Sequence, residues 1–270
     1  GETLAVVGES GSGKSVTAMS VLGLLPRTAR VKGTLRLGDE DLLAASSRRL
    51  QQIRGGEIGM IFQEPMTALN PVYTIGDQIV GAIRAHRRIS RQEARSHAID
   101  LLRQVNMPEP AEKFSRYPHQ LSGGQRQRAM IAMAISSQPK ILIADEPTTA
   151  LDVTVQAEIL DLLRDLQVRM GMAIMIITHD MGVVADMASR VVVMQHGRIV
   201  ETAPVKALFA APAQDYTQTL LAAVPRANFN AQTAEAATSG KPVLEAKDLR
   251  VRYPSHFIAG GFLAVDGVDL

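Results

Sequence analysis

Leu4-Ala-Val-Val7-Gly8-Glu9-Ser10-Gly11-Ser12-Gly13-Lys14-Ser15-Val16 runs from a short apolar stretch through a glycine-rich turn into a helical pattern that continues to about Leu25. Four apolar residues bounded by a turn read as a buried strand. The turn fits G-x-x-x-x-G-K-S/T, a loop that cradles phosphate. Its glycines let backbone N–H groups turn inward around phosphate oxygens, and the helix that follows adds partial positive charge at its start. Lys14 is placed to reach the β- and γ-phosphates, and the Ser15 hydroxyl to ligate Mg²⁺. A Gly/Ser turn that merely contains a lysine is the alternative; a strand before it and a helix after it argue against that.

Outward from this loop, strands and helices alternate. Leu35–Leu37 and Ile58–Phe62 read as strands, Ile75 to about Arg103 as helical and arginine-rich, and Gln125–Ser136 as a helix. Ile141–Ala144, Ala173–Ile177 and Val191–Met194 are apolar strands, separated by an amphipathic helix at Val153–Met170 and a helix at Met181–Met187. This order implies an α/β domain with a mainly parallel central sheet. The helices between Ile75 and Leu121 interrupt the alternation and are expected to form a separate lobe. Arg84–Arg95 reads as a solvated helix face, with contact to anionic lipid headgroups or membrane subunits as the other reading. From Arg226 to Pro242 the chain turns to Asn, Gln, Thr, Ala, Ser and Gly, as flexible linkers do. Val243–Tyr253 and Phe262–Leu270 follow as two further strands.

Composition limits the possibilities. Of the 270 residues 46% are hydrophobic, enough for a full-sized core, and the formal charge is only +2 although the pI is about 9.0, a balance that gives no strong reason to expect a nucleic-acid partner. Cysteine is absent, so disulfides and thiolate metal sites are excluded. The apolar runs Ala129–Ile135 and Met172–Ile177 fall well short of the roughly 20 residues that span a bilayer.

Lys140-Ile-Leu-Ile-Ala-Asp145-Glu146 is a buried strand ending in two carboxylates. Ligands of α/β sheets sit at the carboxyl ends of strands. Asp145 there can hold Mg²⁺ through water, and Glu146 can orient or deprotonate an attacking water. Leu121-Ser122-Gly123-Gly124-Gln125 opens a helix, where N–H groups and Ser122 can bind a second face of phosphate; a helix cap with a glycine pair is the plainer reading.

With these residues in place the sequence resembles the ABC ATPase family from residue 1 to about 225. Leu121–Gln125 matches its signature, Gln63 in Ile61-Phe-Gln-Glu-Pro its Q-loop, Ala150-Leu-Asp152 its D-loop, and His179 in Thr178-His-Asp its switch histidine, all in family order. Asp152 can also serve as a helix N-cap. The resemblance implies a P-loop NTPase fold with a RecA-like, mainly parallel sheet, antiparallel β elements and an inserted α-helical subdomain at about 75–122. It implies ATP and Mg²⁺ as cofactors, with Ser15, Asp145 and Gln63 on the metal. It also implies a head-to-tail dimer, in which ATP on the phosphate loop of one cassette is closed by Ser122, Gly123, Gly124 and Gln125 of the other. Gln63 would sense the γ-phosphate, and His179 would contact it and support the attacking water.

A narrower resemblance follows. Gln63–Gln78, Arg116–Gly124 and the stretch from Ala210 to Pro225 are similar to importers of dipeptides, oligopeptides, nickel and glutathione. Many of these carry a cysteine cluster near the end of the cassette. Its absence brings the chain closer to forms that fuse two cassettes, as in glutathione importers. The partners so implied are two membrane-spanning permease subunits, an extracytoplasmic solute-binding protein and a second cassette, at the cytoplasmic face of a bacterial inner membrane. Phe62–Gln78 is expected to dock a cytoplasmic helix of the permease, with Leu69 and Tyr73 accessible to crosslinking. A soluble tandem ABC ATPase of translation or DNA repair is the rival. It is disfavoured because about a hundred residues without sustained heptads separate Ser15 from Leu121, and because the Arg226–Pro242 segment is short and mostly uncharged.

The chain opens on Gly1, directly before the first strand, so the natural protein is expected to begin earlier. Residues 243–270 resemble the opening strands of a second cassette, with Tyr253 as its adenine-stacking aromatic. The linker could extend about 55 Å at roughly 3.3 Å per residue. The tail is therefore also expected to be able to fold back into vacant strand positions of the first domain.

Overall fold

The computed structural model describes residues 1–223, 244–253 and 262–269. The chain divides into two units, Gly1–Pro225 and Arg226–Leu270. In order, the first contains β1 (Thr3–Val7), α1 (Lys14–Val21), β2 (Arg36–Leu37), β3 (Glu40–Asp41), α2 (Ser47–Ile53), β4 (Ile58–Ile61), α3 (Pro65–Ala68), α4 (Ile75–His86), α5 (Arg91–Gln104), α6 (Pro110–Lys113) and α7 (Gly123–Ala134). It continues with β5 (Ile141–Asp145), α8 (Val153–Met170), β6 (Ala173–Ile177), α9 (Met181–Met187), β7 (Arg190–Gln195), β8 (Arg198–Pro204), α10 (Val205–Ala210) and α11 (Asp215–Ala222). The second unit contributes β9 (Leu249–Tyr253) and β10 (Phe262–Val268).

The central sheet has the order β4-β5-β6-β1-β7-β8, parallel throughout except for the β7–β8 pair. Alternate residues of each strand face opposite sides. Ala5, Val7, Leu142, Ala144, Ile174 and Ile176 share a core with α7, α8 and α9, and the same core runs on into α4 and α5. Val6, Ile143 and Ile177 join a second core with Ala18 and Leu22 of the first helical segment and Ile53 of α2. The α/β expectation therefore holds, with helices on both faces of a mainly parallel sheet.

Some boundaries differ from the sequence reading. Helix α1 stops at Val21 because Gly23, at φ 59°, turns the chain, with Gly23 N–H on Ser20 O and Leu24 N–H on Met19 O. The single helical reading of Ile75–Arg103 is two helices. Ser90 begins the second with a reciprocal cap, its Oγ accepting from Glu93 N while Glu93 accepts from Ser90 N. The arginine-rich face is exposed at Arg84, Arg88, Arg91 and Arg95. Arg91 pairs with Asp77, and Arg95 lies 4.3 Å over the Phe114 ring. Strand β8 went unread; it follows β7 through His196-Gly197, both at positive φ, the geometry of a two-residue hairpin turn.

The 226–242 linker lies outside the described residues, as does the Tyr253 side chain. Strands β9 and β10 pair antiparallel with each other, and the six-stranded sheet takes every strand from Gly1–Pro225. Among the described residues, the insertion of the tail into that sheet is not seen. The two tail strands pair with each other along one edge each.

Candidate functional site

Four adjacent parallel strands end along one edge of the sheet, and each hands the chain to part of the site. Gly8–Ser15 follows β1, Gln63 follows β4, Asp145 and Glu146 close β5, and His179 follows β6. Side chains far apart in sequence meet there because parallel strands place all their carboxyl ends together.

The loop is shaped by its glycines: Gly8, Gly11 and Gly13 stand at φ 148°, 80° and 99°. Lys14 is 6% exposed, and its Nζ donates to Gly8 O at 2.7 Å and Glu9 O at 2.8 Å. Burial lowers the pKa of this amine, while the charges of Glu146 and Asp145 act to raise it. Ser15 Oγ donates to Asp145 Oδ1 at 3.0 Å. Burial raises the Asp145 carboxyl above its usual range, helped by the charge of Glu146 and opposed by the Ser15 hydrogen bond and Lys14.

Glu146 is the hub. Oε2 accepts from Thr149 Oγ1 at 2.8 Å and from Gln63 Nε2 at 3.0 Å, and Oε1 lies 3.2 Å from His179 Nδ1. Burial alone would push this carboxyl up. The Thr149 and His179 hydrogen bonds, with the charges of His179 and Lys14, outweigh it and hold the group below its ordinary value. Its backbone sits at φ 46°, pinned by its N–H on Ile177 O. A void of about 160 Å³ opens beside Lys14, lined by Ser10, Gly11, Gly13, Ser15, Val16, Gln63 and Glu146.

Ser122 and Asp152 do not line that void. Ser122 Oγ caps α7 by accepting from Gln125 N, and Gln125 Oε1 accepts from Ser122 N. Asp152 Oδ1 caps α8 through Val155 N. Gly123 and Gly124 pack toward Leu151 and Val155, so the start of α7 and the start of α8 lie together. The site therefore unites Gly8–Val16, Gln63, Asp145, Glu146 and His179, and leaves Ser122–Gln125 and Asp152 outside. The sequence reading missed Thr149, Gly197 and Tyr216. Gly197 N donates to Ser12 O at 3.0 Å, and Tyr216 Oη accepts from Glu9 N at 3.0 Å.

Residues 1–149 match the ABC transporter family. The chain belongs to that family. Glutathione import ATP-binding protein GsiA of Salmonella choleraesuis is 48% identical to this cassette, over 94% of this chain and 45% of its own length. Probable peptide ABC transporter ATP-binding protein y4tR of Sinorhizobium fredii is 55% identical, over 83% of this chain and 68% of its own. Peptidoglycan transport ATP-binding protein YejF of Agrobacterium fabrum is 48% identical, over 100% and 50%. The cassette thus spans about half the length of GsiA and YejF. Among solved structures, the dimeric ATP-binding cassette MJ0796 bound to ADP and Pi superimposes with a TM-score of 0.67 at 29% identity, over 76% of this chain and 85% of that one.

The donors fit Mg²⁺. Ser15 Oγ and a carboxylate 2% exposed, Asp145, are hard oxygen ligands already side by side. No group of three or more His, Cys, Asp or Glu that could hold a metal occurs among the described residues. A site with so few protein oxygens suits an ion that keeps waters and substrate phosphates as its remaining ligands. Gln63 lines the same void as Ser15 and donates its amide nitrogen to Glu146, which leaves the amide oxygen as the atom that could meet a metal.

Proposed function

We propose that this chain is the ATP-binding and ATP-hydrolysing part of an ABC importer that takes up peptides or glutathione. In this reading it works beneath two permease subunits at the cytoplasmic face of the inner membrane, with a second cassette and an extracytoplasmic solute-binding protein. The observation that carries it is the Glu146 carboxylate at the rim of the Lys14 void, held by Gln63, Thr149 and His179. The importer part rests on the names of the relatives, two of which are glutathione and peptide transport proteins.

The chemistry follows from this chain's own groups. Loop N–H groups and the Lys14 amine bind phosphate oxygens. Ser15 and Asp145 would hold Mg²⁺, which neutralises charge developing on those oxygens. Glu146 orients the attacking water and takes its proton. His179 and Gln63, both on Glu146, report whether the γ-phosphate is present. Ser122–Gln125, outside the Lys14 void, serve the nucleotide of the opposite cassette. Glu146→Gln should keep ATP binding and lower turnover by about 10²–10⁴-fold in the assembled transporter. Normal turnover in that variant would overturn the assignment.

A further inference from the structure

The stretch from Ala210 to Pro225 has no part in the chemistry above, yet one of its side chains touches the phosphate loop. Tyr216 stands on α11, and its hydroxyl accepts the backbone N–H of Glu9 at 3.0 Å across 207 positions of chain. The helix that carries it is anchored. Glu201 accepts the N–H groups of Ala213 at 2.9 Å and Gln214 at 3.2 Å just before its first turn. Tyr216, Leu220 and Leu221 pack against the main core, and Thr217 is fully buried. The hydroxyl is therefore presented by a fixed support.

We propose that Tyr216 is a positioning residue for the nucleotide, holding the phosphate loop in its binding shape from outside. The inference rests on the proposed ATP site. A loop with three glycines at positive φ has much conformational freedom to lose when it closes around phosphate. Contacts that fix it beforehand reduce what binding must order. The carbonyl of the peptide group that carries the Glu9 N–H, Gly8 O, is held by Lys14, whose amine is also the group that must answer an incoming phosphate. Its N–H end, on Glu9, is held by Tyr216, which does not line the void. Gly197 N–H on Ser12 O is a second outer tether, from the β7–β8 turn. The carboxyl-terminal third of the unit thus forms a back wall for a loop encoded at residues 8–15.

Tyr216→Phe in the full-length protein tests this, since it keeps the ring and removes only the oxygen. Expected are faster amide exchange at Glu9, ATP binding weakened by about three- to tenfold, and a KM for ATP that rises more than kcat falls, with the melting temperature unchanged. Wild-type ATP affinity and wild-type Glu9 exchange in this variant would overturn the proposal, as would weakened binding that merely tracks a lowered melting temperature. Lys14→Ala separates the two layers of argument. Loss of ATP binding there supports the nucleotide site, whatever Tyr216 does. Retained ATP binding removes that site reading and, with it, the nucleotide role of Tyr216, even if Glu9 exchange still responds to the hydroxyl.

Discussion

Gly8 is where backbone geometry leaves least choice. It stands at φ 148°, and a Cβ built there would lie 2.1 Å from Met194 O and 2.9 Å from Ser12 Oγ. A side-chain tip can swing aside, but a carbonyl fixed in the β7–β8 ladder cannot. Gly8→Ala should therefore displace the loop, costing about 1–3 kcal/mol of unfolding free energy as overpacked sites do, and removing ATP binding. Urea unfolding and nucleotide titration measure the two effects, and wild-type values for both would contradict the crowding argument. Glu146 shows another kind of constraint. Its left-handed backbone is a cost for a non-glycine residue, of the kind that persists where surrounding contacts determine the conformation. Here the contacts are Ile177 O on its N–H and three side chains on its carboxylate.

At the scale of elements, the entry to α11 is held by one carboxylate, Glu201. Burial works to raise the Glu201 pKa, but the Thr217 hydroxyl, followed by the N–H groups of Ala213 and Gln214, brings it below the usual value. The unfolded chain therefore holds this proton more tightly than the folded one. The stabilisation is complete above the ordinary carboxylate value of about 4.3 and is lost as pH falls through the lower folded value. Amide protection at Ala213 and Gln214, measured relative to intrinsic exchange, should fall as pH drops below the ordinary carboxylate value of about 4.3, and Glu201→Gln should be less protected at neutral pH and lose that acid limb. An unchanged acid limb in Glu201→Gln would assign the transition to another group. The same element shows what the sequence could and could not disclose. Strands β1, β5 and β6 and helix α8 were legible because burial on both faces or one stripe leaves an apolar pattern in consecutive residues. Strand β8 was not: it is the edge of the sheet, pairs on one side only, and carries Arg198, Glu201, Thr202 and Pro204 with Ile199 exposed. Likewise Gly8–Ser15 and Asp145-Glu146 were readable because their chemistry is contiguous. Thr149, Gly197 and Tyr216 are common residues whose meaning lies in partners that only the sheet order brings near.

At the scale of the whole cassette, no helix among the described residues is long and apolar enough to cross a membrane, so coupling to a permease would need a surface. The first unit has one: a groove of about 300 Å³ lined mainly by apolar side chains, among them Leu22, Leu24, Met60, Phe62, Leu69, Ala82, Met130 and Met133, with Arg54 at its edge. Phe62 and Leu24 are about 40% exposed there, and an apolar recess left open to solvent marks a contact with a protein, a membrane or a ligand; the expected permease helix is one such occupant. Its location matters, because Phe62 immediately precedes Gln63, whose amide bonds Glu146. A helix seated on Phe62 is thus one residue from the carboxylate proposed to activate water. The expected docking segment needs one amendment. Leu69 is 1% exposed and forms part of the groove wall, whereas Val72 and Tyr73 are 71% and 56% exposed. A cysteine at Tyr73 should crosslink to the permease readily and one at Leu69 poorly. Leu24→Asp sets a carboxylate against the incoming apolar helix without touching the phosphate loop or Glu146. A charge buried against apolar side chains is costly even with Arg54 at hand to offset part of it, so assembly with the permease should weaken by at least about tenfold. ATP binding by the variant should stay near wild type. Undiminished assembly, measured by co-purification of the permease subunits, would move the docking face elsewhere. Parallel loss of ATP binding would mean that the substitution had disturbed the fold rather than the surface.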